Sequence, residues 1–164
     1  MDHITLGSLM VSAQLWTRDV EALAPVMVEL GVGLVPYSPL GRGFLTGGVT
    51  PDTLGEKDSR RRHPRFQGDN ATANQRLVAT IGAAAQNLGV TSTQLALAWV
   101  YARGSRLGIP VVPIPGTSSP EHVTANVKAL DIVLEDTVLA ELEPLAQQVS
   151  GGRNGALQMT AVPS

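Results

Sequence analysis

The sequence is most constrained by a pattern that occurs twice. A short apolar segment runs straight into a connection rich in Gly, Pro, Ser and Thr, and a helical pattern follows. The first segment, Val32 to Pro36, opens into VPYSPLGRGFLTG over 35–47, and the second, Val111 to Ile114, opens into VPIPGTSSPEH over 112–122. Apolar runs this short, bounded by Gly or Pro, suit strands buried on both faces. Strands that alternate with helices place the chain in the α/β class with a parallel sheet. Ligands in such folds bind in the loops at the carboxyl ends of the strands. Small residues let backbone N–H groups approach an anion, and a helix N-terminus adds a favourable partial charge. The two loops therefore carry two readings from their residues alone: plain structural turns, or a phosphate site.

The rest of the chain keeps the alternation. Residues 8–16 are weakly strand-like, and Val20, Leu23, Met27 and Leu30 recur at helical spacing, with Pro25 inside the stretch and Gly31 as its stop. Residues 49–72 are polar and read as one long loop, a length that is often functional. A helix is expected from Ala73 to Leu88, and a second one after the capping box Thr91-x-x-Gln94. Ser119-Pro120 starts another, running to about Leu130, since Ser caps a helix and Pro suits its first turn. A last helix is expected from Glu135 to Val149 on the stripe Val138, Leu142, Leu145 and Val149. Pro110 and Pro113 crowd the second apolar strand.

Composition excludes several functions. The net charge of -2 argues against a protein that grips nucleic acid or an anionic membrane. There is no Cys, hence no thiolate nucleophile or Cys-based zinc site, and a reducing cytoplasmic setting is expected. No run of about 18 apolar residues is present. The G-x-S-x-G and Walker A motifs are missing, and no His/Asp/Glu group has metal-ligand spacing. Five of the ten arginines fall between Arg42 and Arg65, including the run Arg60, Arg61, Arg62. That run reads either as a solvated loop or as an anion-facing one.

Four blocks in order carry a family resemblance. Tyr37-Ser38-Pro39-Leu40-Gly41-Arg42-Gly43-Phe44-Leu45-Thr46-Gly47 resembles the seventh-strand loop of aldo-keto reductases. Asp58 to Gln67, ending Pro64-Arg65-Phe66-Gln67, is similar to the segment after it. QLALAWV over 94–100 resembles the next helix. Ile114-Pro115-Gly116-Thr117 with Pro120, Glu121 and Asn126 is similar to the eighth-strand signature. The resemblance spans about 12–150, leaving 1–11 as an unmatched leader and 151–164 as a tail. It implies a partial (β/α)8 TIM barrel, roughly strands six to eight with their helices, forming a single partial domain over 1–164.

By the same resemblance the cofactor is NADP(H). Tyr37 corresponds to the aromatic residue that stacks on the nicotinamide ring. Ser38, Pro39, Leu40, Gly41, Arg42 and Gly43 belong to the loop that covers the pyrophosphate. Ile114 leads into the strand-eight loop, where Gly116, Thr117 and Ser118 meet the adenosine 2′-phosphate. His122 and Asn126 sit one helical turn apart, with Asn126 toward the adenine edge. The chain departs from the family at His122, which stands where Arg is usual, and a fixed cationic clamp becomes a titrating group. Gly116 and Ser118 bring no charge, and Ala125 stands where Glu is common. NAD(H) therefore remains an alternative cofactor. Met10 replaces a Gln that orients the carboxamide, and Ala13 replaces a Tyr.

The family's catalytic Asp, Tyr, Lys and His belong to the first half of its barrel, before any block matched here. The chain's own tyrosines, Tyr37 and Tyr101, and its histidines, His3, His63 and His122, do not supply them, so no catalytic residue is assigned. The expectation is the cofactor-binding C-terminal half of a carbonyl-reducing oxidoreductase, inactive alone. Completed by an N-terminal half, it would take a small aldehyde or ketone. The alternatives are a non-catalytic NADP(H)-binding or partner-binding module, and an inactive remnant. A partial barrel also exposes strand edges and apolar faces, so self-association is expected.

Overall fold

The computed structural model describes residues 7–152. His3, with the rest of residues 1–6 in the expected leader, and residues 153–164 of the expected tail lie outside the described residues.

Strand β1 (Ser8–Ser12) pairs in parallel with β2 (Gly33–Tyr37), Ser8 opposite Gly33 and Ser12 opposite Tyr37. The 111–114 segment runs parallel along the other edge of β2, with Leu34 opposite Val111 and Tyr37 opposite Ile114. The Val112 N–H donates to the Leu34 carbonyl at 2.9 Å and the Ile114 N–H to the Pro36 carbonyl at 3.0 Å. Pro36 has no N–H to return, so this ladder is interrupted at its middle. The β1 side is spared because odd-numbered residues of β2 serve it, as the bond from the Gly33 N–H to the Gly7 carbonyl shows. The sequence placed the crowding on Pro110 and Pro113, but the residue that breaks the pairing is Pro36.

Between the strands, a 3-10 turn (Asp19–Leu23) leads into α1 (Ala24–Leu30). Pro25 falls in the first helical turn, where its missing N–H has no intrahelical partner to lose. Gly31, at φ 63°, closes the helix in the left-handed cap that a Gly tolerates best.

Residues 49–67 are not one open loop. Three short 3-10 turns, Pro51–Thr53, Ser59–Arg62 and Pro64–Phe66, fold them around the buried side chains of Leu54 and Phe66. Helix α2 (Gly68–Asn87) starts five residues before the expected Ala73. Its first turn is polar, with Asp69 favourably placed against the helix dipole, while Ala71 and Asn74 face inward.

Helix α3 (Ser92–Leu107) opens on the expected capping box: Thr91 Oγ1 accepts from the Gln94 N–H and Gln94 Oε1 accepts from the Thr91 N–H. Helix α4 (Pro120–Val127) tightens into a 3-10 turn (Lys128–Asp131). The expected helix over 135–149 is two helices, α5 (Asp136–Leu142) and α6 (Leu145–Gln148), because Pro144 interrupts the backbone bonding between them.

The main core packs α2 against α3 through Leu77, Ile81, Leu95 and Trp99, with Phe44, Phe66 and Leu142 closing its ends. A smaller cluster of Val20, Met27, Leu34 and Ile109 seats α1 under the sheet. Arg103 clamps Glu21 through two charge-assisted bonds of 2.8 and 2.6 Å, tying α3 to the turn before α1. Because β2 and the 111–114 segment are parallel neighbours, both loops leave from the same end of the sheet.

Candidate functional site: a two-loop cleft

The first loop is shaped by successive left-handed residues. Gly41, Arg42 and Gly43 have φ of 60°, 58° and 91°. The Gly41 N–H donates to Ser38 O at 2.9 Å and the Gly43 N–H to Leu40 O at 3.0 Å. Gly41 is required here for a second reason: a Cβ would lie 2.7 Å from Cζ2 of Trp16, whose ring packs beneath the turn. The loop is thus pressed against a buried aromatic group, Trp16, Phe44 and Phe66, whose rings meet in tilted and edge-on pairs.

The second loop is built on hydroxyls. Ser119 caps α4 by accepting from the His122 N–H at 3.2 Å. The Thr117 hydroxyl accepts from the Ser119 N–H at 3.1 Å and lies 3.3 Å from Nδ1 of His122. The Ser119 hydroxyl also donates to Glu121 at 2.6 Å, which, with a backbone bond, holds that carboxyl below its ordinary pKa.

The two loops meet in one cleft of about 930 Å³. Ser38, Pro39, Leu40, Arg42 and Gly43 line it from one side, and Ile114, Gly116, Thr117, His122 and Asn126 from the other. A Cβ on Gly116 would meet no protein atom, so this glycine fronts open space. The lining holds no acidic side chain, and its arginines, Arg42 and Arg60, stand at the first loop. The volume lies within the roughly 300–1,000 Å³ usual for ligand clefts. Anionic groups fit the first loop, and a polar uncharged surface suits the second.

Three of the expected site residues stand apart from this lining. Tyr37 and Gly41 line a smaller neighbouring cavity of about 30 Å³ with Ser12, Gln14, Trp16 and His63. Ser118 is exposed, outside the lining of either. In the smaller cavity the Trp16 Nε1 and Gln14 Oε1 atoms are buried without a protein partner. Burial, and then the Arg42 charge, lower the pKa of His63 below the ordinary imidazole value.

Sequence reasoning missed Thr91, Thr93 and Arg60, which also line the cleft. Thr91 was legible only as a helix cap. Arg60 was legible only as one of three arginines in a row, and their fates differ. Arg60 pairs with Asp58, Arg61 donates to the Pro51 and Leu54 carbonyls, and the side chain of Arg62 is exposed. The run is therefore neither wholly solvated nor wholly anion-facing.

Among the described residues, no group of His, Asp and Glu could hold a metal ion, and no helix is long and apolar enough to cross a membrane.

Parallel strands alternating with helices, and a ligand-sized cleft at the strand ends, define an α/β fold that binds its ligand at the carboxyl ends of its strands. Residues 2–147 match the family model described as the aldo/keto reductase family, and the chain belongs to that family, whose fold is the (β/α)8 barrel. It is 39% identical over 152 residues to probable aldo-keto reductase 1 of Glycine max, a match that takes in 90% of this chain and 42% of that protein. An aldo/keto reductase from Klebsiella pneumoniae, solved in complex with NADP and acetate, superposes with a TM-score of 0.57 at 28% identity, over 85% of this chain and 39% of that one. A glycerol dehydrogenase from Gluconobacter oxydans shares the fold with a TM-score of 0.74 at 22% identity, over 87% of this chain and 42% of that one. The chain therefore spans less than half the length of these relatives.

Proposed function

We propose that the two-loop cleft binds a nicotinamide dinucleotide, NADP(H) with NAD(H) as the alternative, and that the chain is the C-terminal, cofactor-binding half of a carbonyl-reducing aldo-keto reductase. The observation that carries the reading is the convergence of Ser38, Arg42 and Gly43 with Gly116, Thr117 and His122 on one cleft whose lining has cations at one end and no acid. The Klebsiella pneumoniae relative in complex with NADP supports the ligand class.

In this reading residues 12–150, within a single partial domain over 1–164, correspond to strands six to eight of the barrel. The first loop and Arg42 hold the pyrophosphate. Gly116, Thr117 and His122 face the adenosine 2′-phosphate, with Ser118 next to them in the loop but outside the cleft lining, and Asn126 faces the adenine. Tyr37, a residue 40% exposed at the end of β2, offers its ring as a flat surface to the nicotinamide. The bound dinucleotide would supply hydride. The chain's own residues orient it, and no proton donor for the carbonyl oxygen is assigned among them. A small aldehyde or ketone is then a substrate only together with an N-terminal half of the barrel, and the setting is cytoplasmic.

Titration with NADPH and NADH, followed by quenching of tryptophan fluorescence, tests the reading. Saturable binding is expected, and Arg42→Ala should weaken it about tenfold or more, the scale of a charge-assisted hydrogen bond. A chain that binds neither dinucleotide overturns the proposal. The chain alone should show no turnover with NADPH and simple aldehydes, and robust turnover would refute the missing-acid assignment.

A further inference from the structure

We infer that Arg60, aimed by Asp58, is a positioning residue that buttresses the Arg42–Gly43 turn in the shape that receives the pyrophosphate. The inference rests on the dinucleotide reading of the cleft.

The Arg60 guanidinium is divided between two tasks. Its Nε and Nη2 donate to the Asp58 carboxylate at 3.0 and 2.7 Å, a bidentate grip that fixes its plane. That leaves Nη1 to donate to the Arg42 carbonyl at 3.1 Å, across eighteen residues of sequence. Asp58 is itself anchored, because it accepts from the Arg60 N–H at 2.9 Å as the cap of the 59–62 turn.

The turn needs such a support. Arg42 is a non-glycine residue at φ 58°, a left-handed conformation that strains any residue with a Cβ. Gly43 follows at φ 91°, and a Cβ there would sit 3.3 Å from Arg60 Nη1 and 3.0 Å from Val49 Cγ2. Gly43 thus admits both the backbone conformation and the close approach of the guanidinium. A lysine could not replace Arg60, because one ammonium cannot take a carboxylate bidentately and reach a separate carbonyl in the same plane. Arg61 supplies an internal comparison: it has the same charge in the same turn, but its Nη1 serves the Pro51 and Leu54 carbonyls instead.

The test compares Arg60→Met, Arg60→Lys and Arg61→Met in the full chain, with NADPH and adenosine 2′-monophosphate as probes. The second probe has no pyrophosphate and engages only the second loop. Both Arg60 variants should weaken NADPH binding about tenfold or more and leave adenosine 2′-monophosphate unchanged, and Arg61→Met should change neither. Lysine is not expected to rescue. Hydrogen exchange at the Gly43, Leu45 and Gly47 amides in the ligand-free protein should quicken in both Arg60 variants.

Wild-type NADPH affinity in Arg60→Met, or equal loss of both probes, overturns the positioning role. So does rescue by lysine, which would reduce Arg60 to its charge. If the wild-type chain binds no dinucleotide, the reading of the cleft fails and the role in positioning a pyrophosphate fails with it. Unchanged exchange would separately refute the buttress.

Discussion

His63 shows how a single residue escapes sequence reasoning. From the sequence it was a histidine in a polar loop. The structure half-buries it beside Arg42, between the 59–62 and 64–66 turns, and burial is the larger cause of its lowered pKa. The folded protein therefore holds His63 neutral at pH values where the unfolded chain has begun to protonate it. A group of this kind contributes fully above its unfolded pKa, near 6.5, and its contribution is lost as the pH falls through the folded value. His63→Gln should accordingly lose less thermal stability than the wild type between pH 7.5 and 5.5, compared by paired melting curves. Equal losses would show that the imidazole does not report the fold. Gly41 lies at the other extreme of legibility. It stood out in the sequence as a loop glycine, but the ring of Trp16 beneath it comes from twenty-five residues earlier, a contact that no local pattern encodes.

At the scale of elements, motifs with a local cause were legible and those with a tertiary cause were not. Thr91 and Gln94 satisfy each other within one turn, and Gly31 closes α1 through its own backbone, so both were readable. The polar first turn of α2 concealed its helical character, because only the inward placement of Ala71 and Asn74 reveals it. Asn74 is fully buried, donating to the Arg65 and Ser150 carbonyls and accepting from the Ser150 N–H. Gly104 in α3 is another tertiary case. A Cβ there would collide with the Val111 side chain and lie 3.1 Å from the Ile109 carbonyl, so this glycine sets how closely α3 approaches the 111–114 segment. Replacing Gly by Ala in a helix is worth about 1 kcal/mol in propensity, whereas overpacking costs about 1–3 kcal/mol. Overpacking should win, because one obstacle is backbone and the other is a β-branched side chain with little freedom. Gly104→Ala should lower the melting temperature by a few degrees. Gly104→Ala combined with Val111→Ala should be less destabilised than the sum of the single changes, since the second removes the collision. Strict additivity would mean that the helix shifts instead of clashing.

For the whole molecule, the two sheet faces have opposite fates. Leu34, Pro36 and Pro113 point inward and are buried, whereas Met10, Val112, Ile114 and Tyr37 share the other face and are exposed, Met10 and Val112 at 63% and 62%. The order of strands and helices was legible because each element carries its own pattern. An uncovered face was expected only from the likeness to a longer barrel, since strand residues apolar on both sides look the same whether or not a second layer is present. Among the described residues no further strand pairs with the outer edge of β1 or of the 111–114 segment. Unpaired edges and an apolar face together favour association. The isolated chain should therefore show a weight-average mass that rises with concentration in sedimentation equilibrium. Burying a large apolar side chain is worth about 1.5–3 kcal/mol, so placing a charge at the centre of that face should weaken association by roughly ten- to a hundredfold. Val112→Lys and Met10→Lys should each shift the chain toward monomer. Val133→Lys serves as the control, because Val133 is 88% exposed in the connection before α5 and belongs to no strand of the sheet, and should leave association unchanged. A wild-type chain that stays monomeric at every concentration and unfolds in one cooperative step would show that this face needs no cover.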